Sequence, residues 1–156
     1  KTGSKITSLK SAPDIAGKRI IVGSGTNQEA VLLAWDKENQ AKGLPAFKPQ
    51  YVTDDAAATL AIQSGRADAT FGPNVTGAYK SLLTGKTQLV GTVPGGWPKT
   101  ANIAVTLKKG NGLVDAVQAS LNSAIASGAY LQVLDRWGES VEKIDHSEIN
   151  PPGLGD

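Results

Sequence analysis

The stretch Ser24-Gly25-Thr26-Asn27-Gln28-Glu29-Ala30 has the residue types and spacing best suited to chemistry, and that chemistry is the holding of an anion. Two hydroxyls, two side-chain amides and a glycine stand together just before Ala30-Val31-Leu32-Leu33-Ala34-Trp35, where Val31, Leu32, Trp35 and Asn39 recur at helical spacing. Ahead of them lies Arg19-Ile20-Ile21-Val22-Gly23, rich in β-branched residues and too short for a helix, which reads as a buried strand. Strand, glycine-bearing turn and helix start thus follow one another. A helix start offers free N–H groups and the positive end of the helix dipole, so the junction is a natural seat for a carboxylate, with Thr26 and Asn27 adding side-chain donors. The plainer reading is a helix cap that satisfies its own backbone and binds nothing.

Composition removes most other chemistries. There are no cysteines, which excludes disulfides, thiolate nucleophiles and cysteine-ligated zinc. The one histidine, His146, lies in a polar tail, so neither a histidine metal site nor a catalytic dyad is implied. A net charge of +2 without a lysine or arginine cluster gives no footprint for nucleic acid. No run of 18 apolar residues is present to span a membrane. The spacing from Gly23 to Gln28 is also similar to a dinucleotide fingerprint, but Gln28 stands where the third glycine is needed, so no cofactor is implied. The 156 residues suffice for one domain with a real core, and the start at Lys1 reads as a processed or truncated product.

The elements that must position this stretch can be taken in order. Residues 1–12 read as a polar lead-in, and Pro13 to Gly17 as a single helical turn. A first strand is expected over 18–22 and a helix to about Lys42, stopped by Gly43 and Pro45. The next strand, 47–52, is pushed to a sheet edge by Pro49. Thr53 or Asp54 caps a helix whose Ala57, Leu60, Ala61 and Ser64 share a face, ended by Gly65. Residues 67–71 make a third strand. Gly72-Pro73-Asn74 then leads into a helix capped by Asn74, with Val75, Ala78, Tyr79 and Leu82 as its apolar stripe. A fourth strand is expected over 87–93, and Pro94-Gly95-Gly96-Trp97-Pro98 marks the best boundary in the chain. Beyond it come a strand at 102–107 and a helix over 113–127 with Val114, Val117, Leu121 and Ile125 inward and Gly128 at its end. A short helix over 130–137 and a C-terminal tail from 138 to 156, floppy or polyproline-like over 150–155, complete the chain. Trp35 and Trp137 read as core, and Trp97 as either a lid or a packing residue. Asp68 reads as a structural acceptor. The alternation predicts an α/β fold, a mostly parallel sheet flanked by helices, with ligands beyond the carboxyl ends of the strands. On that rim Asn74 joins Ser24, Gly25, Thr26, Asn27 and Gln28 as a candidate ligand-binding residue.

Three blocks now carry a resemblance: Gly17 to Thr26, Gly65-Arg66-Ala67-Asp68-Ala69, and Ala104-Val105-Thr106-Leu107-Lys108-Lys109-Gly110, followed by Gly128-Ala129-Tyr130 and Arg136-Trp137. In this order and spacing the chain resembles the extracytoplasmic solute-binding proteins of polar amino-acid ABC transporters, whose type II periplasmic-binding fold clamps a solute between two lobes. The resemblance implies that residues 1–98 are the second lobe, that 99–137 return to the first lobe, whose N-terminal half is missing, and that 138–156 are a tail. It further implies a small polar solute bearing a carboxylate, membrane subunits of an ABC transporter as partners, and a periplasmic or extracytoplasmic location. Thr26, Asn27 and Gln28 match positions that hold the solute's carboxylate. The family's ammonium-pairing aspartate falls at Pro73, a departure worth roughly 1.5 to 3 kcal/mol of binding. Similar scaffolds also serve as cyclohexadienyl dehydratases and as receptor sensor domains, and Pro73 argues against the first. Apolar surface on 101–137 is expected to favour self-association.

Overall fold

A computed structural model describes residues 1–99 and 102–151, which fall into two compact units, Lys1–Pro98 and Lys99–Asp156. In the first unit, α1 (Ala12–Ile15) leads to β1 (Arg19–Ile21), α2 (Asn27–Ala41), β2 (Lys48–Gln50), α3 (Asp55–Gln63), β3 (Ala69–Thr70) and α4 (Asn74–Thr84). The three strands form one parallel sheet in the order β2-β1-β3. Ile20 lies opposite both Pro49 and Ala69, so Pro49 occupies an edge strand, where its missing N–H costs no ladder bond.

Alternation along β1 decides which helix covers which face. Ile20 and Val22 join Val31, Leu32 and Trp35 of α2, Ile15 of α1, and Phe47. Ile21 points the other way and joins Ala61 and Ile62 of α3 with Ala67. The burial of Val31, Leu32, Trp35 and Asn39 on α2 matches the helical period of the sequence. The predicted face of α3 is rotated: Ala61 and Ile62 are buried, while Leu60 is exposed. The predicted set holds one large apolar side chain, Leu60, so it defines that helix's direction poorly, and Ile62 packs with Ile21 in its place.

Asp68 is the structural acceptor expected of it. Its carboxylate takes the Arg19 backbone N–H at 2.8 Å and the Arg19 guanidinium through Nε at 3.1 Å and Nη2 at 2.8 Å, fastening the start of β1 to the approach to β3. The Arg19 side-chain hydrogen bonds, against some burial, hold the Asp68 carboxyl below its ordinary value. A depressed acid stabilises the fold above its unfolded pKa and loses that contribution as pH falls through the folded value. Asp68→Asn is therefore expected to cost about 1–2 kcal/mol at neutral pH, discounted for the exposure of Arg19. The gap should close in acid; urea unfolding at both pH values measures it, and a gap that persists in acid removes the ion pair as its cause.

Elsewhere the structure corrects the sequence expectations. Residues 1–12 are an integral part of the first unit: Leu9 is buried in the core and Ile6 packs on it. Asp14 accepts the N–H groups of Lys10 and Ser11, fixing the chain's path into α1. The strand expected at 87–93 does not form: among the described residues its neighbour is this irregular lead-in, which gives it one backbone bond, Leu9 N–H to the Val90 carbonyl, after Thr2 N–H has taken the Lys86 carbonyl just before it. The apolar stripe of α4 is left outside, with Val75, Tyr79 and Leu82 all exposed. The faces of this narrow sheet are already taken by α2 and α3, so α4 has little left to cover.

In the second unit, α5 (Val114–Ala126) and α6 (Ala129–Trp137) are followed by a 3₁₀ turn, Ser140–Glu142. Neither helix buries a residue fully; Val114 and Leu121 are exposed, and so is Trp137, which is not a core residue. Residues 102–107 form no strand, since among the described residues nothing pairs with them, and Ile103 is 94% exposed. The segment after α6 is fastened to α5: Ser147 N–H donates to Asn122 Oδ1 at 2.7 Å, and its carbonyl accepts from Gln118 Nε2 at 2.9 Å. The expected tail conformation at residues 152–156 lies outside the described residues.

Candidate functional site

All three strands run parallel, so the turns that follow them, 22–26, 51–54 and 71–73, rise from one edge of the sheet, and each leads into a helix. That edge brings the Ser24–Gln28 loop and Asn74 to the same rim, as ligand sites of such sheets require. Ser24, Gly25, Thr26 and Asn27 are exposed, and Gln28 and Asn74 are half-buried. The three turns contain no lysine or arginine.

The loop is built from the backbone outward. Gly25 adopts a left-handed φ of 72°, which a side chain would strain, and this reverses the chain between β1 and α2. Thr26 is the N-cap: its Oγ1 accepts from Glu29 N–H at 3.2 Å and donates to the Gly23 carbonyl at 2.7 Å. The single O–H donor of Thr26 is thereby spent on the loop itself, so it shapes the loop. Glu29 turns back and accepts the Gly25 N–H through Oε2 at 2.6 Å. The Tyr51 hydroxyl and then the Gly25 N–H hold the Glu29 carboxyl below its ordinary value, and Tyr51 is in turn pushed up by Glu29.

One loop amide is thus already occupied by the chain's own carboxylate. What stays available is narrower than the sequence suggests. The N–H groups of Asn27 and Gln28, in the first turn of α2, and the side chains of Ser24, Asn27 and Gln28 make no hydrogen bond among the described residues. Asn74 is corrected from cap to first helical residue; Pro73 holds the N-cap position of α4 with φ −56° and ψ 136°. Proline's fixed φ leaves its own carbonyl to start the helix, which displaces Asn74 by one place.

The sequence reading passes over Glu29 and Tyr51. The signal for Glu29 was present, since Thr26-Asn27-Gln28-Glu29 has the spacing of a capping box, in which an acid three residues after the cap reaches back to the free amides. Nothing local in the sequence announces Tyr51, whose influence on the Glu29 carboxyl follows from the pairing of β2 with β1. Trp97 packs edge-on against Trp35, with ring centroids 6.0 Å apart, so of the two roles expected for it packing is the one observed. An open depression lined by Lys1, Thr2, Gln63, Gly85 and Lys86 sits at the opposite end of the sheet, where α3 and α4 finish, and shares no residue with this rim. Among the described residues no helix is long and apolar enough to cross a membrane.

No protein-family model and no curated protein sequence matches the chain. Solved structures do. A mutant of ArgBP from T. maritima superposes with a TM-score of 0.58 at 17% identity, over 88% of this chain and 55% of the other. An ancestral arginine-binding protein bound to arginine gives 0.53 at 21% identity, over 88% and 57%. A protein described as "probable amino-acid ABC transporter extracellular-binding protein ytmK", from Bacillus subtilis, gives 0.57 at 19% identity, over 89% and 57%. The chain therefore spans 55–57% of the length of these three proteins and has their fold, the type II fold of extracellular binding proteins for amino-acid ABC transporters.

Proposed function

We propose that this chain belongs to a protein that captures a small polar solute bearing a carboxylate, for delivery to an ABC importer outside the cytoplasm, without covalent chemistry. The observation that carries the reading is the junction of β1 and α2. There the Asn27 and Gln28 amides and the Ser24, Asn27 and Gln28 side chains make no hydrogen bond among the described residues, on the rim that also holds Asn74. Free amides at the positive end of a helix favour a carboxylate. The residues 1–98 are read as one lobe, and 99–137 as a segment of a second.

A dehydratase on the same scaffold needs a carboxylic acid poised to donate a proton. Glu29 does stand at the rim, but its pKa is lowered, the wrong direction for a general acid. Nothing in the structure favours a sensor role over transport.

Since the chain spans little more than half of its structural relatives, binding by this chain alone is expected to be weak, near millimolar, or about −4 kcal/mol. Titration with L-amino acids followed by ¹⁵N NMR should move the Gly25, Asn27 and Gln28 amides. Absence of movement with every amino acid overturns capture at this loop, and micromolar affinity overturns the expectation that further residues complete the seat. The exposed Ile103, Val105 and Trp137 also support self-association of the chain, to be read by light scattering at rising concentration; a strict monomer rejects it.

A further inference from the structure

We propose that Asn111 and Gly112 form a self-modification site, at which the Asn111 side chain closes on the backbone nitrogen of Gly112 and its amide is converted to a carboxylate. The inference stands on the turn before α5 and is independent of the capture reading. Lys108 to Leu113 are all exposed, and Gly110 and Gly112 reverse the chain with left-handed φ of 78° and 73°. The Gly112 N–H makes no hydrogen bond among the described residues, and nothing lies within 4 Å of where its Cβ would stand, so the nitrogen is open to solvent. Leu113 N–H donates to Asn111 Oδ1 at 3.0 Å, closing a ring that already contains both Asn111 Cγ and the Gly112 nitrogen.

The chemistry needs only water. The Gly112 nitrogen gives its proton to hydroxide and adds to Asn111 Cγ. The bond from Cγ to Nδ2 breaks, and Nδ2 leaves as ammonia with a proton from water. One water then opens the imide at either carbonyl, giving aspartate or isoaspartate. Negative charge gathers on Oδ1 during the addition, and the Leu113 N–H, at the N-cap of α5, is in place to hold it. No other asparagine is followed by glycine; Asn150 precedes Pro151, which has no N–H at all. Asn122 lies inside α5, its Oδ1 holding Ser147 N–H, and helical backbone keeps the following nitrogen out of attack geometry. α5 has no side-chain cap, so an aspartate at 111 adds a favourable charge before its first turn, whereas isoaspartate lengthens the main chain there.

The test is peptide mapping by mass spectrometry of the folded chain, held in buffers of rising pH. Trypsin releases 110–136, which carries both Asn111 and Asn122, so one peptide holds the site and its control. Asn111 is expected to convert at least about tenfold faster than Asn122. Its rate should rise about tenfold for each pH unit, as the ionised amide does below its pKa. The folded chain should convert at least as fast as an isolated peptide of residues 108–114. Asn111→Gln, whose extra methylene forces a larger ring, should abolish conversion at 111. The proposal is overturned if Asn122 keeps pace, if the rate ignores pH, or if the glutamine converts equally. Slower conversion in the folded chain than in the peptide shows that the turn shields Asn111, and overturns it as well.

Discussion

Trp35→Ala is expected to destabilise the first unit by about 3–5 kcal/mol, the largest effect of any single truncation in the chain. Trp35 is 2% exposed and belongs to the cluster that joins α1, β1, α2 and Phe47. Its ring meets Phe71 at 6.1 Å and Trp97 at 6.0 Å, the second contact edge-on, a geometry favoured by the aromatic quadrupole. Removing it leaves both rings facing a void that a sheet of three short strands has little material to fill. Because Trp35 ties the segment around Trp97 to the core, the loss should appear in the stability of 90–97 as well as of α2. Urea unfolding followed by far-UV circular dichroism reads the change. A loss below about 1 kcal/mol means that the cluster closes over the gap and is not the unit's anchor.

Gly91→Ala comes second, at about 1–3 kcal/mol. A Cβ built on Gly91 would lie 2.4 Å from the Leu9 carbonyl oxygen and 3.0 Å from its carbon, with Lys10 Cγ at 2.7 Å. Backbone atoms cannot swing aside, so the lead-in has to move. That displacement breaks the bond from Leu9 N–H to the Val90 carbonyl at 3.1 Å and draws Leu9, 6% exposed, out of the core. Gly77, in mid-α4 with nothing within 4 Å of its Cβ position, is the control. There alanine is the better helix former and should stabilise by about 0.5–1 kcal/mol. Equal responses at the two glycines would show that the segment 86–91 is not seated on the lead-in; faster hydrogen exchange at Leu9 in Gly91→Ala alone would show that it is.

The same lead-in marks the boundary of what sequence patterns carry. Polar composition with two large apolar residues, Ile6 and Leu9, gives no periodicity to read, yet Leu9 is core because the chain beyond α4 returns beside it. The strands expected at 87–93 and 102–107 fail for a related reason. Alternating apolar residues specify which face a strand would bury, but a strand exists only when a neighbour offers a matching row of donors and acceptors. The stripe on α4 fails likewise, because periodicity names a face without supplying the surface that covers it.

Residues Arg19 to Asn39 needed no tertiary information to be read, since a β-branched strand, a turn glycine, a cap and a helical period are all written within a few residues of one another. Pro49 at an edge and Asp68 as an acceptor follow from proline's missing N–H and from the cost of leaving a carboxylate unpaired among small residues. The order β2-β1-β3, the withdrawal of the Gly25 amide by Glu29, the proximity of Tyr51 and the shift of Asn74 from cap to first turn were decided only in three dimensions. Each depends on which of several competing partners reaches a given donor or surface first, and that competition is between groups the chain separates and the fold brings together.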